Sequence, residues 1–277
     1  MKKISLLLLY SLLLFSFEKM WGQSFSLPAK QVAMANTKAT TYGAASYGNP
    51  ASAAFSVGFS GFASIENRFY GTDIQGVVAG ISYTSDKYGS LQIGVNRVGI
   101  QGLYFQEMTL GYAKRLGARA AIGGNILLLN RQADHYDNYQ TISFNIGTQF
   151  PLSENIQAGI YLSNPIPDRQ ELPLYNFNSE FAAGITWKIT KLTTVFEIVK
   201  PQHTKYTIKT AIDYQPMKAI SILGGIIVSD KDLLPSLGLS YRLKSVELTM
   251  SSTFHPQLST GLNFGVSYSS QSTSFSE

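Results

Sequence analysis

Phe181-Ala182-Ala183-Gly184-Ile185-Thr186-Trp187-Lys188-Ile189 carries apolar side chains at its odd positions and small or polar ones at its even positions. The rhythm recurs in Leu262-Asn263-Phe264-Gly265-Val266-Ser267-Tyr268, in Leu237 to Leu243 and in Ile142 to Gly147. A strand sends successive side chains to opposite faces, so each of these segments has one apolar and one wet face. Repeated strand after strand, that pattern predicts an all-β membrane protein, an antiparallel transmembrane barrel with lipid outside and a polar lumen inside.

Composition agrees. Charged residues make up 14% of the chain, against roughly 25% in soluble domains. Tyr and Phe number 16 each, which suits aromatic girdles at two membrane interfaces. Lys2 and Lys3 followed by the apolar run Ile4 to Phe17 read as a secretory signal over residues 1–22. The formal charge is +5; the signal holds Lys2, Lys3, Lys19 and Glu18, a net +2, which leaves about +3. So small a charge, carried by scattered basic residues, does not point to nucleic acid. The chain has no cysteine, hence no disulfide and no thiolate metal site.

Fourteen strands are expected, starting near Phe55, Val77, Leu91, Met108, Arg119, Thr141, Ile156, Phe181, Leu192, Tyr206, Ile220, Ser236, Val246 and Leu262. Ala53 to Ser269 spans 217 residues, roughly fifteen or sixteen per strand and connection; a tilted membrane strand uses roughly 9–11. Alternate connections are short, as at Thr190-Lys191 and Lys244-Ser245. The others are mostly long: Ile65 to Ile74, Asn130 to Tyr139, Asn164 to Asn178 and Val228 to Pro235. Short periplasmic turns and longer outer loops produce that alternation. The expected organisation is a signal (1–22), a plug segment (23–50), the barrel (51–270) and a polar tail (271–277). The plug is rich in Ala, Thr, Gly and Ser and carries Lys30 and Lys38 but no acid, with a short helix expected around Lys30 to Asn36. A barrel this wide is not filled by its own side chains, so a segment folded into its periplasmic mouth is expected.

Alternation turns Arg119, Lys188, Glu197, Lys209, Asp213, Arg242 and Glu247 into the lumen. Ions in a lumen must be solvated or paired, and pairing across neighbouring strands is expected, with Lys209 and Asp213 sharing one face. A selectivity filter or substrate site is the competing reading of these charges. Inward glycines recur at Gly94, Gly111, Gly123, Gly147, Gly159, Gly184, Gly225, Gly238 and Gly265. They suit either barrel curvature or room for the plug. His135, His203 and His255 show no metal-ligand spacing, and no Ser-His arrangement suggests catalysis, so no enzyme activity, metal or cofactor is expected.

Three landmarks carry a family resemblance: Asn49-Pro50-Ala51 before the first strand, Glu66-Asn67-Arg68-Phe69 at its end, and Asn164-Pro165-Ile166 after the seventh. In this order they resemble the PorV/PorQ-type outer-membrane proteins, a branch of the FadL-like fourteen-strand barrels. The resemblance implies a Gram-negative outer-membrane protein embedded in lipid. It implies an accessory of type IX secretion that holds secreted proteins at the cell surface. The alternative within the same group is a FadL-like transporter of hydrophobic small molecules, with Asn49, Pro50 and Ala51 in the hatch, an apolar pocket above it and a gap in the wall. The loop holding Pro165, Pro167, Leu172, Leu174 and Tyr175 would serve as lid or docking surface.

Overall fold

The computed structural model describes residues 25–40, 47–117, 120–134, 138–165, 179–202, 204–230 and 232–270. The expected signal, Arg119, His135, His203, Pro167, Leu172, Leu174, Tyr175 and the tail 271–277 lie outside them.

Fourteen strands form one closed antiparallel barrel. They are β1 (Gly58–Asn67), β2 (Gln75–Ser85), β3 (Gly89–Ile100), β4 (Leu103–Leu116), β5 (Ala120–Ala133), β6 (Tyr139–Pro151) and β7 (Ile156–Ser163). The second half is β8 (Glu180–Ile189), β9 (Leu192–Pro201), β10 (Thr207–Met217), β11 (Ile220–Ser229), β12 (Asp232–Leu243), β13 (Val246–Thr253) and β14 (Gly261–Ser269). Each strand pairs with its sequence neighbours, and β1 pairs with β14 to close the ring. Closure leaves no strand edge unpaired in lipid, the condition for spanning a bilayer with strands.

The outward face is apolar: Ile93, Val95, Met108, Leu110, Ile185, Ile212, Leu239 and Phe264 are all exposed. Tyr83, Tyr112, Trp187, Tyr214, Tyr241 and Tyr268 stand on that face at the end of the short turns. They form the girdle expected of amphipathic rings at a membrane interface.

Two readings of the sequence need correction. Phe55 begins no strand; it ends a 3-10 helix, Pro50–Phe55, and β1 starts at Gly58. Asn49 caps this helix by accepting the Ala51 N–H at 3.0 Å, and Pro50 at its first position has the φ a helix start requires. Nor is Val228 to Pro235 a long loop. β12 begins at Asp232, and only residues 230 and 231 separate it from β11. Pro235 pairs with Ile226, and its carbonyl accepts the Phe254 N–H at 2.9 Å. The N–H that proline lacks would point the same way, past the end of β13, where no ladder bond is required.

Candidate functional site: a plug bolted into the lumen

Residues 25–40 and 47–57 lie inside the barrel. A five-residue helix, α1 (Ala29–Ala33), rests on β11 to β14 and β1, and the 3-10 helix rests on β2 to β6. The interface is built of small residues. Ala39 packs with Tyr161, Ala182 and Val199; Ala51 and Ala54 pack with Ala113 and Ala121; Ala35 packs with Val195 and Ala211.

The inward glycines fit the plug rather than curvature alone. A Cβ on Gly123 would stand 2.7 Å from the Ala51 nitrogen, and one on Gly147 would stand 1.9 Å from Asn49 Oδ1. On Gly159 it would meet the Ala39 carbonyl at 2.0 Å, and on Gly225 the Ala35 nitrogen at 2.5 Å. Gly238 and Gly265 face Ala33 and Ala29 in the same way, and Gly94 faces Tyr47. Gly111 differs: its nearest neighbour is Asn125 on the adjacent strand. Gly123 pairs directly with Gly147, and Gly159 with Gly184, so the shelf under the plug is continuous across β5 to β8. Curvature alone would not place plug atoms over these Cβ positions.

Asn49 is 1% exposed and bonds to both plug and wall. Its Nδ2 faces the carbonyls of Ala39 at 2.8 Å, Thr148 at 3.0 Å and Ile160 at 3.0 Å. Thr148 and Ile160 are cross-strand partners, so the carboxamide straddles the β6–β7 seam. Gln92 Nε2 donates to the Pro50 carbonyl at 2.9 Å, and Thr84 Oγ1 to the Ala53 carbonyl at 3.0 Å.

Charge does the rest. Lys30 Nζ lies 2.8 Å from Glu247 and 3.4 Å from Asp213. Arg242 also pairs with Glu247, its neighbour across β12 and β13. Glu197, fully buried, accepts the Lys38 and Ala39 N–H groups on Oε2 at 2.7 and 2.6 Å, while Lys209 stands 3.3 Å from Oε1. Lys209 Nζ also donates to the Asn36 carbonyl at 2.8 Å. Lys209 and Asp213 therefore share a face but not a bridge: Lys209 meets Glu197 across the β9–β10 pair, and Asp213 meets the plug. Lys188 faces the lumen, half-buried on β8. Burial works against the charge on Lys30, but the Glu247 and Asp213 carboxylates outweigh it and hold the ammonium above its ordinary pKa. Glu180 does the same for Lys38, at 3.3 Å.

Glu180 and Glu107 escaped the sequence reading, and Glu66 entered it only as part of a family landmark. Tyr47 donates to Glu107, Ser26 Oγ donates to Glu66 at 2.5 Å, and Arg68 pairs with Glu66 at 3.1 Å. The signal available was complementarity: a segment with lysines and no acid must find its counter-ions in the wall. Gln31 was missed as well. It ties the plug to itself, donating to the Thr37 and Tyr47 carbonyls at 2.8 and 3.0 Å.

Above the plug, Pro165 is half-buried at the end of β7, where Ser143 Oγ donates to Asn164 Oδ1 at 2.8 Å. Adjacent strands keep a regular register apart from a bulge at Tyr214 and Met217, and the β6–β7 ladder runs only from Asn145 to Pro151, the inner half of β6. An open cavity of about 620 Å³ at the outer rim is lined by Lys200, Gln202, Thr204, Lys205, Tyr206 and Asp230. No cluster of His, Asp or Glu able to hold a metal occurs among the described residues.

No family model and no curated protein matches the chain. Solved structures do. A deletion mutant of the TodX monoaromatic hydrocarbon channel aligns with a TM-score of 0.70 over 88% of this chain and 99% of its own, at 10% identity. The CymD monoaromatic hydrocarbon channel aligns with 0.66 over 93% and 100%, at 10% identity. The fold is the FadL-like barrel. A Pseudomonas aeruginosa FadL homologue agrees, with a TM-score of 0.66 over 91% and 100% at 9% identity. At these identities the likeness is one of architecture. A closed barrel with an apolar outer face is built to span a membrane, and two of the three similar structures are described as channels. None of the three is described as a secretion component, so the PorV/PorQ branch gains no support beyond the sequence landmarks.

Proposed function

We propose that the protein is an outer-membrane channel for hydrophobic small molecules, gated by its N-terminal plug. The observation that carries this reading is the plug itself: a chain segment seated in a FadL-like barrel on glycines, one asparagine and a few ion pairs. Such a contact blocks the lumen yet leaves no large apolar interface to break. Hydrocarbon channels of like architecture support a hydrophobic solute. The strands close into one ring, and in this reading passage runs through displacement of the plug. The secretion-accessory reading takes second place, because it rests on the short landmarks alone and residues 166–178 of its docking loop are undescribed.

The test uses the absence of cysteine. The Ala39 Cβ lies 3.5 Å from a Cβ built on Gly184, within the range a disulfide requires. Cells expressing A39C/G184C are expected to lose toluene uptake when oxidised and regain it on reduction. Absence of uptake by the unmodified protein would remove the channel reading. Uptake that survives the oxidised cross-link would remove plug gating.

A further inference from the structure

On the lipid-facing side of β3 to β6 the surface changes character in one register step. Val95, Met108, Leu128 and Ile142 form a cross-strand row of exposed apolar side chains. The next row towards the outer end is Arg97, Gln106, Asn130 and Gln140, again in direct register. Above it Tyr104 pairs with Gln132. The long strands β4 and β5 carry these rows past the apolar band. Elsewhere the outward face stays apolar close to the outer ends, with Phe181 on β8, Val228 on β11, Leu233 on β12 and Leu262 on β14.

The polar rows are organised. The Arg97 guanidinium lies 3.9 Å from the centre of the Tyr104 ring, and Tyr104 donates its hydroxyl proton to Gln132. Asn130 Nδ2 reaches Gln106 at 3.4 Å, while Asn130 Oδ1 is shielded and accepts no hydrogen bond among the described residues. Arg97 is exposed and meets no carboxylate within salt-bridge distance among them. Among the described residues of this rim, the acid Asp134 lies against Gly102. Stacking fixes the guanidinium plane and leaves its donor edge open, the arrangement that recognises a phosphate.

We infer that this patch binds the phosphorylated sugar headgroup of an outer-leaflet glycolipid. The inference builds on the outer-membrane location and not on the channel reading. The acyl chains lie along the row of Val95, Met108, Leu128 and Ile142. Arg97 takes the phosphate one register step higher, where the headgroup begins. The carboxamides of Gln106 and Gln140 meet sugar hydroxyls and amide-linked acyl groups, which both donate and accept as they do. An unmatched cation at this depth is favourable beside an anionic headgroup.

The experiment is native mass spectrometry of the full-length barrel in detergent, offered bis-phosphorylated lipid A, its dephosphorylated form, or phosphatidylglycerol. The expected order of retention is lipid A above both others. R97Q should lower lipid A retention about fivefold, the weight of one interfacial cation. K114Q, which removes a cation from the opposite end of β4, should leave it unchanged. Melting of both variants is followed to confirm an intact barrel. Equal retention by wild type and R97Q overturns the inference. So does equal loss in K114Q, phosphatidylglycerol held as well as lipid A, or a second copy of the chain occupying the patch instead of lipid.

Discussion

Adding one methyl group at Gly123 should unseat the plug, while the same change at Gly124 should do nothing. A Cβ on Gly123 meets the Ala51 nitrogen and the Pro50 carbonyl carbon at 2.7 Å, both backbone atoms that cannot rotate away. On Gly124, which faces outward, the nearest atom is 3.5 Å off, an ordinary contact. Restoring 3.4 Å at Gly123 requires a shift of 3.4 − 2.7, about 0.7 Å. The same displacement stretches the 3.0 Å bonds from Asn49 to Thr148 and Ile160 beyond hydrogen-bond range. Overpacking costs about 1–3 kcal/mol and each lost bond about 0.5–1.5 kcal/mol. A combined 2–6 kcal/mol would lower the docked-to-free ratio by about 30- to 25,000-fold. Trypsin reads this directly, because Lys30 and Lys38 are half-buried, ion-paired cleavage sites in the seated plug. When opening is fast relative to cleavage, the cleavage rate follows the open population. G123A should be cut faster by that factor, with the barrel's melting unchanged. Equal protection of G123A and G124A would refute the close-packed seat.

Other perturbations test the charged bolts. E197Q keeps the shape but removes the charge that holds two plug N–H groups, and should speed trypsin cleavage by about tenfold or more; a rate matching wild type would show those bonds to be dispensable. K30M and E247Q should be non-additive in a double-mutant cycle read by cleavage at Lys38 alone, because each removes the other's partner. D230N breaks only the exposed Lys205 pair and should change stability by less than about 0.5 kcal/mol in a denaturant titration. The raised pKa of Lys30 fixes a sign: its contribution is complete below the unperturbed value of 10.5 and is lost only as pH rises through the higher seated value. Trypsin protection should therefore hold between about pH 7 and about pH 9.

The barrel was legible because its physics is periodic. Phe181 to Ile189 could be read without knowing its neighbours, since a strand between lipid and a wet lumen must alternate. Strand number followed from the rhythm of turns. Pro235 misled, because it looks like loop chemistry and only the place where β13 stops lets it stand in a strand. The site was half legible. Glu197 and Glu247 could be assigned to the lumen by parity, but their partners Lys38 and Lys30 lie 159 and 217 residues away in sequence. No local pattern encodes such a pairing. The inward glycines were visible and ambiguous until plug atoms were seen above them.

Those separations bear on the order of assembly. The carboxylates that receive the plug's two lysines sit on β8, β9, β10 and β13, in the second half of the chain, while the lysines precede the first strand. During export the plug emerges before any of its counter-ions exist in folded form, and loop closure over such distances is slow. Seating must therefore come late, once β1 has met β14 and the acids face a common interior. A molecule whose last hairpin has not zipped keeps its leading segment loose and open to proteases. Degradation of unfinished barrels can then be triggered by the part of the chain that was made first.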